Sequence, residues 1–184
     1  IAGSSAKPGL GTSWTFNGIN NYINIPDSAS FDLTNFTLSA WIRTSKLNGL
    51  GQQRIISQQG VGGYWLMALD NNNNLTFVSS FDPFGVLPKA SPTLNDGNWH
   101  HVAIVRNATG SQAIWYANGA PVGTPEPTSA SGYTISGSPA IGAQAGTGGE
   151  SFDGSIDEVG VWYRPLSPGE ISTLHNGGGG LTCP

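Results

Sequence analysis

The chain has 184 residues, a length that favours one domain. Only 10% of the residues are charged and the net charge is −4, so the clustered cations that nucleic acid or an anionic membrane requires are absent from the sequence. Cys183 is the only cysteine, which excludes an internal disulfide and a cysteine-based zinc site. No stretch approaches the roughly 20 apolar residues that span a bilayer, so we predict no membrane insertion.

Short strands separated by turns dominate the pattern. Residues 36–43 are typical, because Phe36 and Ile42 fall on one face of the strand and Arg43 falls on the other. The four asparagines at 71–74 predict a hairpin tip, since asparagine tolerates left-handed backbone. Many short strands separated by such turns favour an all-β sandwich. The predicted strands, in chain order, cover 22–25, 36–43, 54–57, 64–69, 75–78, 99–105, 113–117, 133–135, 140–141 and 156–163.

One short helix is predicted near the end of the chain. Ser167 suits the N-cap, Pro168 the first helical position, and Glu170 completes a capping box. Ile171 gives the helix an apolar side, and Gly177 is typical of the position that ends a helix. We therefore predict about two turns of helix packed against a sheet.

The glycine run at the end of the chain sets the predicted domain limits. Residues 1–177 are predicted to form one domain, and residues 178–184 a glycine-rich linker or tail. This composition favours a module that belongs to a larger multidomain chain.

Four segments in chain order carry a resemblance to a known family. They are 16–26 with 36–42, then 94–103, 114–119 and 152–159. Together they resemble the laminin-G-like, concanavalin A-like jelly-roll family, most closely its bacterial carbohydrate-binding modules. The resemblance implies two stacked antiparallel sheets and one short C-terminal helix. It further implies a glycan, glycoprotein or protein ligand, and often a structural calcium ion.

Catalysis is not expected. Hydrolases of the related fold place paired carboxylates on one strand, and neither Glu-x-Asp-x-x-Glu nor Glu-x-Asp-x-Glu occurs here. Asp157 and Glu158 are adjacent, so their side chains point to opposite faces of a strand. His100 and His101 are separated in the same way and cannot act together on one ligand. We predict that the protein is not an enzyme.

Calcium is the cofactor that the resemblance implies. The matching positions are Asn17, Gly18, Asn20 or Asn21, and Asp157. Asparagine at 17, where the family usually has aspartate, removes one negative charge and should weaken the site. Alternatively, Asp157 hydrogen-bonds to backbone amides of the first strand without any ion.

Aromatic side chains near loops are the candidates for carbohydrate contact, because an aromatic face covers the apolar side of a sugar while amides and carboxylates bind its hydroxyls. The segment 79–85 combines two such aromatics with an aspartate on a loop. Packing of each aromatic under its own loop is an equal alternative. The residues predicted to contact a carbohydrate are Trp65, Phe81, Asp82, Phe84, Trp115, Arg54 and Gln144.

The sequence thus predicts a non-catalytic carbohydrate-binding module. We expect it in an extracellular, secreted bacterial protein that it tethers to a polysaccharide or glycan. The alternative is an adhesion or structural module of a phage, virus or cell-surface protein, with a protein or another subunit as partner.

Overall fold

The computed structural model describes residues 3–5, 11–47, 51–82, 86–89 and 92–180. Within these ranges the chain forms thirteen strands and one α-helix, and the strands build two stacked antiparallel sheets. The predicted all-β jelly-roll sandwich is confirmed. The strands are β1 Gly3–Ser5, β2 Thr12–Asn17, β3 Ile23–Asn24, β4 Phe36–Arg43, β5 Gln53–Gly60, β6 Gly63–Leu69, β7 Leu75–Ser79, β8 Val86–Lys89, β9 Trp99–Asn107, β10 Gln112–Ala117, β11 Ala120–Pro127, β12 Ala140–Ile141 and β13 Asp153–Trp162.

The strand order brings the two ends of the domain together. Among the described residues, sheet A has the order β1-β2-β13-β4-β9-β10-β11 and sheet B the order β3-β12-β5-β6-β7-β8. The last strand, β13, lies between β2 and β4, and its residues Asp153 to Ile156 pair with Asn17 to Trp14. The last strand therefore joins the first strands to the rest of sheet A.

The core lies between the sheets and follows strand alternation. On β4, Phe36, Leu38 and Ile42 are fully buried against the side chains of sheet B. Trp65 and Met67 of β6 face them from sheet B and are equally buried. Each such side chain contributes about 1.5–3 kcal/mol through removal of apolar surface from water. This packing holds the two sheets together.

The helix α1, Pro168–His175, covers the outer face of sheet A. Ile171 is fully buried there against Val105 and Tyr116. The predicted capping box is confirmed, because the Ser167 side chain accepts from the Glu170 N–H and the Glu170 carboxylate accepts from the Ser167 N–H. In the described part of the chain, no helix has the length and apolarity that crossing a membrane requires.

The predicted asparagine hairpin tip is also present, between β6 and β7. Asp70 holds it, since its Oδ1 accepts the backbone N–H groups of Asn72 and Asn74 at 2.8 and 2.9 Å. Asn73 adopts the left-handed conformation, with φ of 58°. This turn borders the outer face of sheet B, where the candidate site lies.

Candidate functional site

A β-bulge in β5 determines which side chains reach the outer face of sheet B. The pairing of β5 with β6 shifts between Arg54 and Ile56. As a result Ile55 and Ile56 both pack in the core, while Arg54 and Gln59 lie on the outer face. The extra residue of the bulge thus allows Ile55 and Ile56 to face the core together, while Arg54 of the same strand faces outward.

A groove crosses this outer face. Its volume is about 350 Å³, within the range of small-molecule sites. Two apolar residues from β6 and β7, Leu66 and Val78, form part of its lining and are buried. We call it the first groove; its lining residues are Gln52, Arg54, Gln59, Tyr64, Leu66, Val78 and Gln144.

Arg54 is the charged residue of the first groove, and Glu150 holds it in place. Nε of Arg54 donates to Oε2 of Glu150 at 2.7 Å, and Nη2 forms an ion pair with the same oxygen at 2.5 Å. The Arg54 side chain is only 9% exposed, whereas that of Glu150 is 41% exposed. The third nitrogen, Nη1, is buried and has no hydrogen-bond partner among the described residues.

Two amides and a tyrosine form the polar rim of the first groove. Gln144 Nε2 donates to Gln59 Oε1 at 2.9 Å, which holds the two amides side by side. Each amide has one acceptor oxygen and two donor hydrogens, so the pair keeps hydrogen-bonding capacity for sugar hydroxyls. Tyr64 is 37% exposed beside them and offers part of an aromatic ring.

A second groove adjoins the first. Its volume is about 500 Å³, and Gln52 lines both grooves. Glu150 also lines it, so the carboxylate that holds Arg54 stands at the junction. The lining residues of this second groove are Gly51, Gln52, Asp70, Asn71, Asn72 and Glu150.

Of the residues predicted to contact a carbohydrate, the structure brings Arg54 and Gln144 together in the first groove. Trp65 and Trp115 are both fully buried in the core between the sheets, where no ligand can reach them. Trp65 Nε1 donates to Gln58 Oε1 at 2.9 Å within that core. The prediction is wrong for these two tryptophans, because strand alternation points them inward.

The loop after β7 also has a structural role. Asp82 is 5% exposed and forms an ion pair with the fully buried Arg106 at 3.2 Å. Phe81 stacks on Tyr133, with ring centroids 4.9 Å apart, so it packs under its own loop. The predicted ligand contact at Asp82 is therefore wrong, because its buried carboxylate pairs with Arg106. Phe81 packs as the alternative describes, and its contact with a carbohydrate stays a prediction. Phe84 lies outside the described residues.

The four residues expected to bind calcium do not form one site. Ile156 pairs with Trp14, so Asp157 lies about 13 Å along β13 from Asp153, which pairs with Asn17. Calcium ligands lie within about 2.6 Å of the ion, so Asp157 cannot share an ion with Asn17. Asn17 Oδ1 is already the acceptor for three backbone N–H groups, those of residues 19 to 21 at 3.1 Å. The predicted set does not fit the metal.

Most lining residues of the two grooves were missed by sequence reasoning. Tyr64 could have been found, since alternation places it opposite the buried Trp65. Strand alternation likewise places Leu66 and Val78 on the outer face. Gln59 depends on the register that the bulge in β5 sets, which no motif marks. Glu150 lies in a loop, and nothing in the sequence links it to Arg54.

Two stacked antiparallel sheets with a polar groove on an outer face define a lectin-like jelly roll. A family model agrees: residues 17–172 match the concanavalin A-like lectin/glucanases superfamily, a laminin-G type, and the chain belongs to that family.

Similar proteins span vertebrates, invertebrates and bacteria. Neuronal pentraxin-2 of Cavia porcellus is 29% identical over 159 residues, which cover 79% of this chain and 35% of that protein. The chain thus spans about a third of the length of this relative.

Solved structures share the fold at low identity. The CBM40 domain of the Ruminococcus gnavus IT-sialidase has a TM-score of 0.66 at 17% identity, over 89% of this chain and 97% of that one. That domain has also been solved with α2,3- and α2,6-sialyllactose bound. A heptameric SAP-like pentraxin from Limulus polyphemus has a TM-score of 0.60 at 20% identity, over 91% of this chain and 84% of that one.

Proposed function

We propose that this domain is a non-catalytic glycan-binding module. The observation that carries the proposal is a polar groove in which Glu150 fixes Arg54, a nearly buried cation, beside the amides of Gln59 and Gln144. Fixed polar groups on an apolar floor, with an aromatic ring at the rim, are what a sugar requires. The amides of Gln59 and Gln144 supply further contacts for hydroxyls.

The comparisons support this proposal at the level of the fold. The Ruminococcus gnavus CBM40 domain has the same architecture over nearly its whole length and binds sialyllactose. The fold alone fixes no ligand, so the groove carries the argument. We also propose that the domain is one part of an extracellular multidomain protein, as the share of the pentraxin relative that it spans suggests.

The carboxylates of the two grooves favour binding over hydrolysis. Glycosidases require one carboxyl group that donates a proton and a second that acts as nucleophile or base. Here Glu150 is bound to Arg54, and Asp70 accepts two backbone N–H groups of its turn. Both carboxylates therefore already hold other groups of the unliganded protein in place. We expect no release of reducing sugar from any glycan that binds.

A glycan array followed by isothermal titration tests the proposal. Tyr64→Ala and Gln144→Ala each remove a rim contact without breaking the Arg54–Glu150 pair, and each should weaken binding about tenfold. The matched controls are Tyr163→Ala and Gln112→Ala, which change exposed residues of sheet A or its border and should leave affinity unchanged. Absence of binding to every glycan, or equal losses in the controls, would contradict the proposal.

A further inference from the structure

We infer that the two grooves are adjoining subsites for one neutral oligosaccharide, recognised through its hydroxyl groups and not through an acidic sugar. This inference rests on the proposed function and extends it to the class of ligand. Three observations carry it: the shared wall of the grooves, the occupied paired edge of Arg54 and the placement of the carboxylates.

The grooves adjoin at Gln52, which lines both. The first groove, with a volume of about 350 Å³, is bordered by Tyr64 and Gln144, and the second, with about 500 Å³, by Asn71 and Asn72. Each alone has the size of a small-molecule site. A ligand that occupies both must be longer than one sugar unit, and its middle would pass Gln52.

Arg54 offers no free paired edge to an acidic sugar. Glu150 occupies the edge of the guanidinium group formed by Nε and Nη2. Carboxylates are recognised best by two parallel N–H groups of an arginine, and this edge is already used. The other edge, formed by Nη1 and Nη2, is not open to a ligand carboxylate, because Nη1 is buried.

The acceptor side consists of two carboxylates, Glu150 at the junction and Asp70 in the second groove. An ionised carboxylate only accepts hydrogen bonds, so a ligand group that meets it must donate. A hydroxyl group donates, whereas the carboxylate of an acidic sugar does not. Among the described lining residues of both grooves, Arg54 is the only cation, and Glu150 already neutralises it. Like charges in such a site disfavour an anionic ligand.

The test compares neutral and acidic probes on the folded domain. Cello-, laminari- and xylo-oligosaccharides of increasing length are titrated, with lactose and α2,3-sialyllactose as a pair that differs in the acidic sugar. We expect the preferred neutral series to gain about tenfold in affinity between one and three sugar units, because the second subsite adds contacts. Sialyllactose should bind no better than lactose.

Two variants separate the subsites. The double change Asn71→Ala with Asn72→Ala should abolish the gain with chain length, because both side chains line the second groove. The turn itself should persist, since Asp70 holds backbone groups there. Glu150→Gln keeps an acceptor for Arg54 but removes one negative charge, so it should raise the affinity for sialyllactose relative to lactose. Thermal melts confirm that each variant is folded.

The outcomes distinguish this inference from the proposed function. Affinity that does not change with chain length, or a preference for sialyllactose over every neutral probe, would overturn the inference while glycan binding stood. Binding to no probe at all would overturn both.

Discussion

At the residue scale, Arg106 shows why a loop aspartate was mistaken for a ligand contact. Arg106 lies on β9 with its side chain fully buried, over the ring of Tyr133 at 4.4 Å. A buried cation must be paired, and Asp82 supplies the counter-charge from the loop after β7. The carbonyl groups of Ser129 and Ser131 accept further bonds from Arg106 Nη2, at 2.8 and 3.0 Å. In the sequence these residues are far apart, so only the fold shows that Asp82 is structural.

Asp82→Asn is expected to destabilise the domain by about 3 kcal/mol, because it leaves the buried Arg106 without its counter-charge. The free energy of unfolding is measured by equilibrium denaturation in urea. Asp27→Asn makes the same chemical change at an exposed position and should leave that free energy nearly unchanged. Equal effects of the two substitutions would show that the Asp82–Arg106 pair does not stabilise the fold.

The same pair predicts a dependence on pH. Burial alone would raise the pKa of Asp82, but the hydrogen bonds from Tyr133 and Ser129 and the charge of Arg106 outweigh it, so this pKa lies below its ordinary 3.8. A lowered pKa in the folded state means that the stabilisation is complete above the unfolded pKa and is lost as pH falls through the folded one. The difference in unfolding free energy between wild type and Asp82→Asn should therefore shrink between pH 7 and pH 2. A difference that stays constant would contradict this account.

Strand alternation separates the predicted contact residues that line a groove from those that lie in the core. Arg54 and Gln144 line the first groove, and their contact with a carbohydrate stays a prediction. Trp65 and Trp115 were predicted from residue type and position near loops, whereas strand alternation points them into the core. Both tryptophans have core-facing neighbours two positions away, such as Met67 beside Trp65, and that local pattern indicates the core more reliably than residue type does.

At the element scale, helix α1 was predictable because its signals are local. Hydrogen bonds from Arg164 and from Ser167 lower the pKa of Glu170 to about 2, which keeps the carboxylate of the capping box ionised at neutral pH. The bulge in β5 was not predictable, since it depends on pairing with β6 and has no short sequence signal. Elements defined within a few residues can be predicted, and those defined by a partner strand cannot.

Ser167→Ala is expected to lower the stability of the domain by about 1 kcal/mol, because it removes the side chain that accepts the Glu170 N–H. Ser172→Ala, at an exposed position inside the same helix, should leave the unfolding free energy unchanged or slightly raise it. Urea denaturation of the two variants gives the comparison. If both substitutions had the same effect, the cap would not contribute to docking of the helix.

At the scale of the whole molecule, sequence motifs predicted the fold, whereas no motif predicted the grooves. The turn and strand motifs at 16–26, 94–103 and 152–159 fix strand order, because they place β13 between β2 and β4. The grooves instead combine β5, β6 and β7 with three separate loops: the one before β5, the turn between β6 and β7, and the one between β12 and β13. Such combinations depend on loop geometry, which tolerates change while the sandwich persists.

The predicted calcium ion would bind in the loop after β2, which connects the two sheets, so its presence would affect the stability of the whole domain. Hydrogen bonds within the protein hold this loop in place. Asn17 Oδ1 accepts three backbone N–H groups, and the Gly18 N–H donates to the Phe152 carbonyl at 2.9 Å. Gly18 has φ of 67° and lies against Asp153, so a larger residue would not fit there. The loop therefore keeps its conformation without a metal ligand at these positions.

We accordingly expect the midpoint of thermal unfolding to be the same in EDTA and in excess calcium. Asn17→Ala should lower that midpoint in both solutions, because three backbone donors lose their common acceptor. A midpoint that rises with calcium in the wild type but not in Asn17→Ala would show that Asn17 binds the ion, and the loop geometry would then have to change on binding. A rise of equal size in both proteins would place a calcium site away from Asn17.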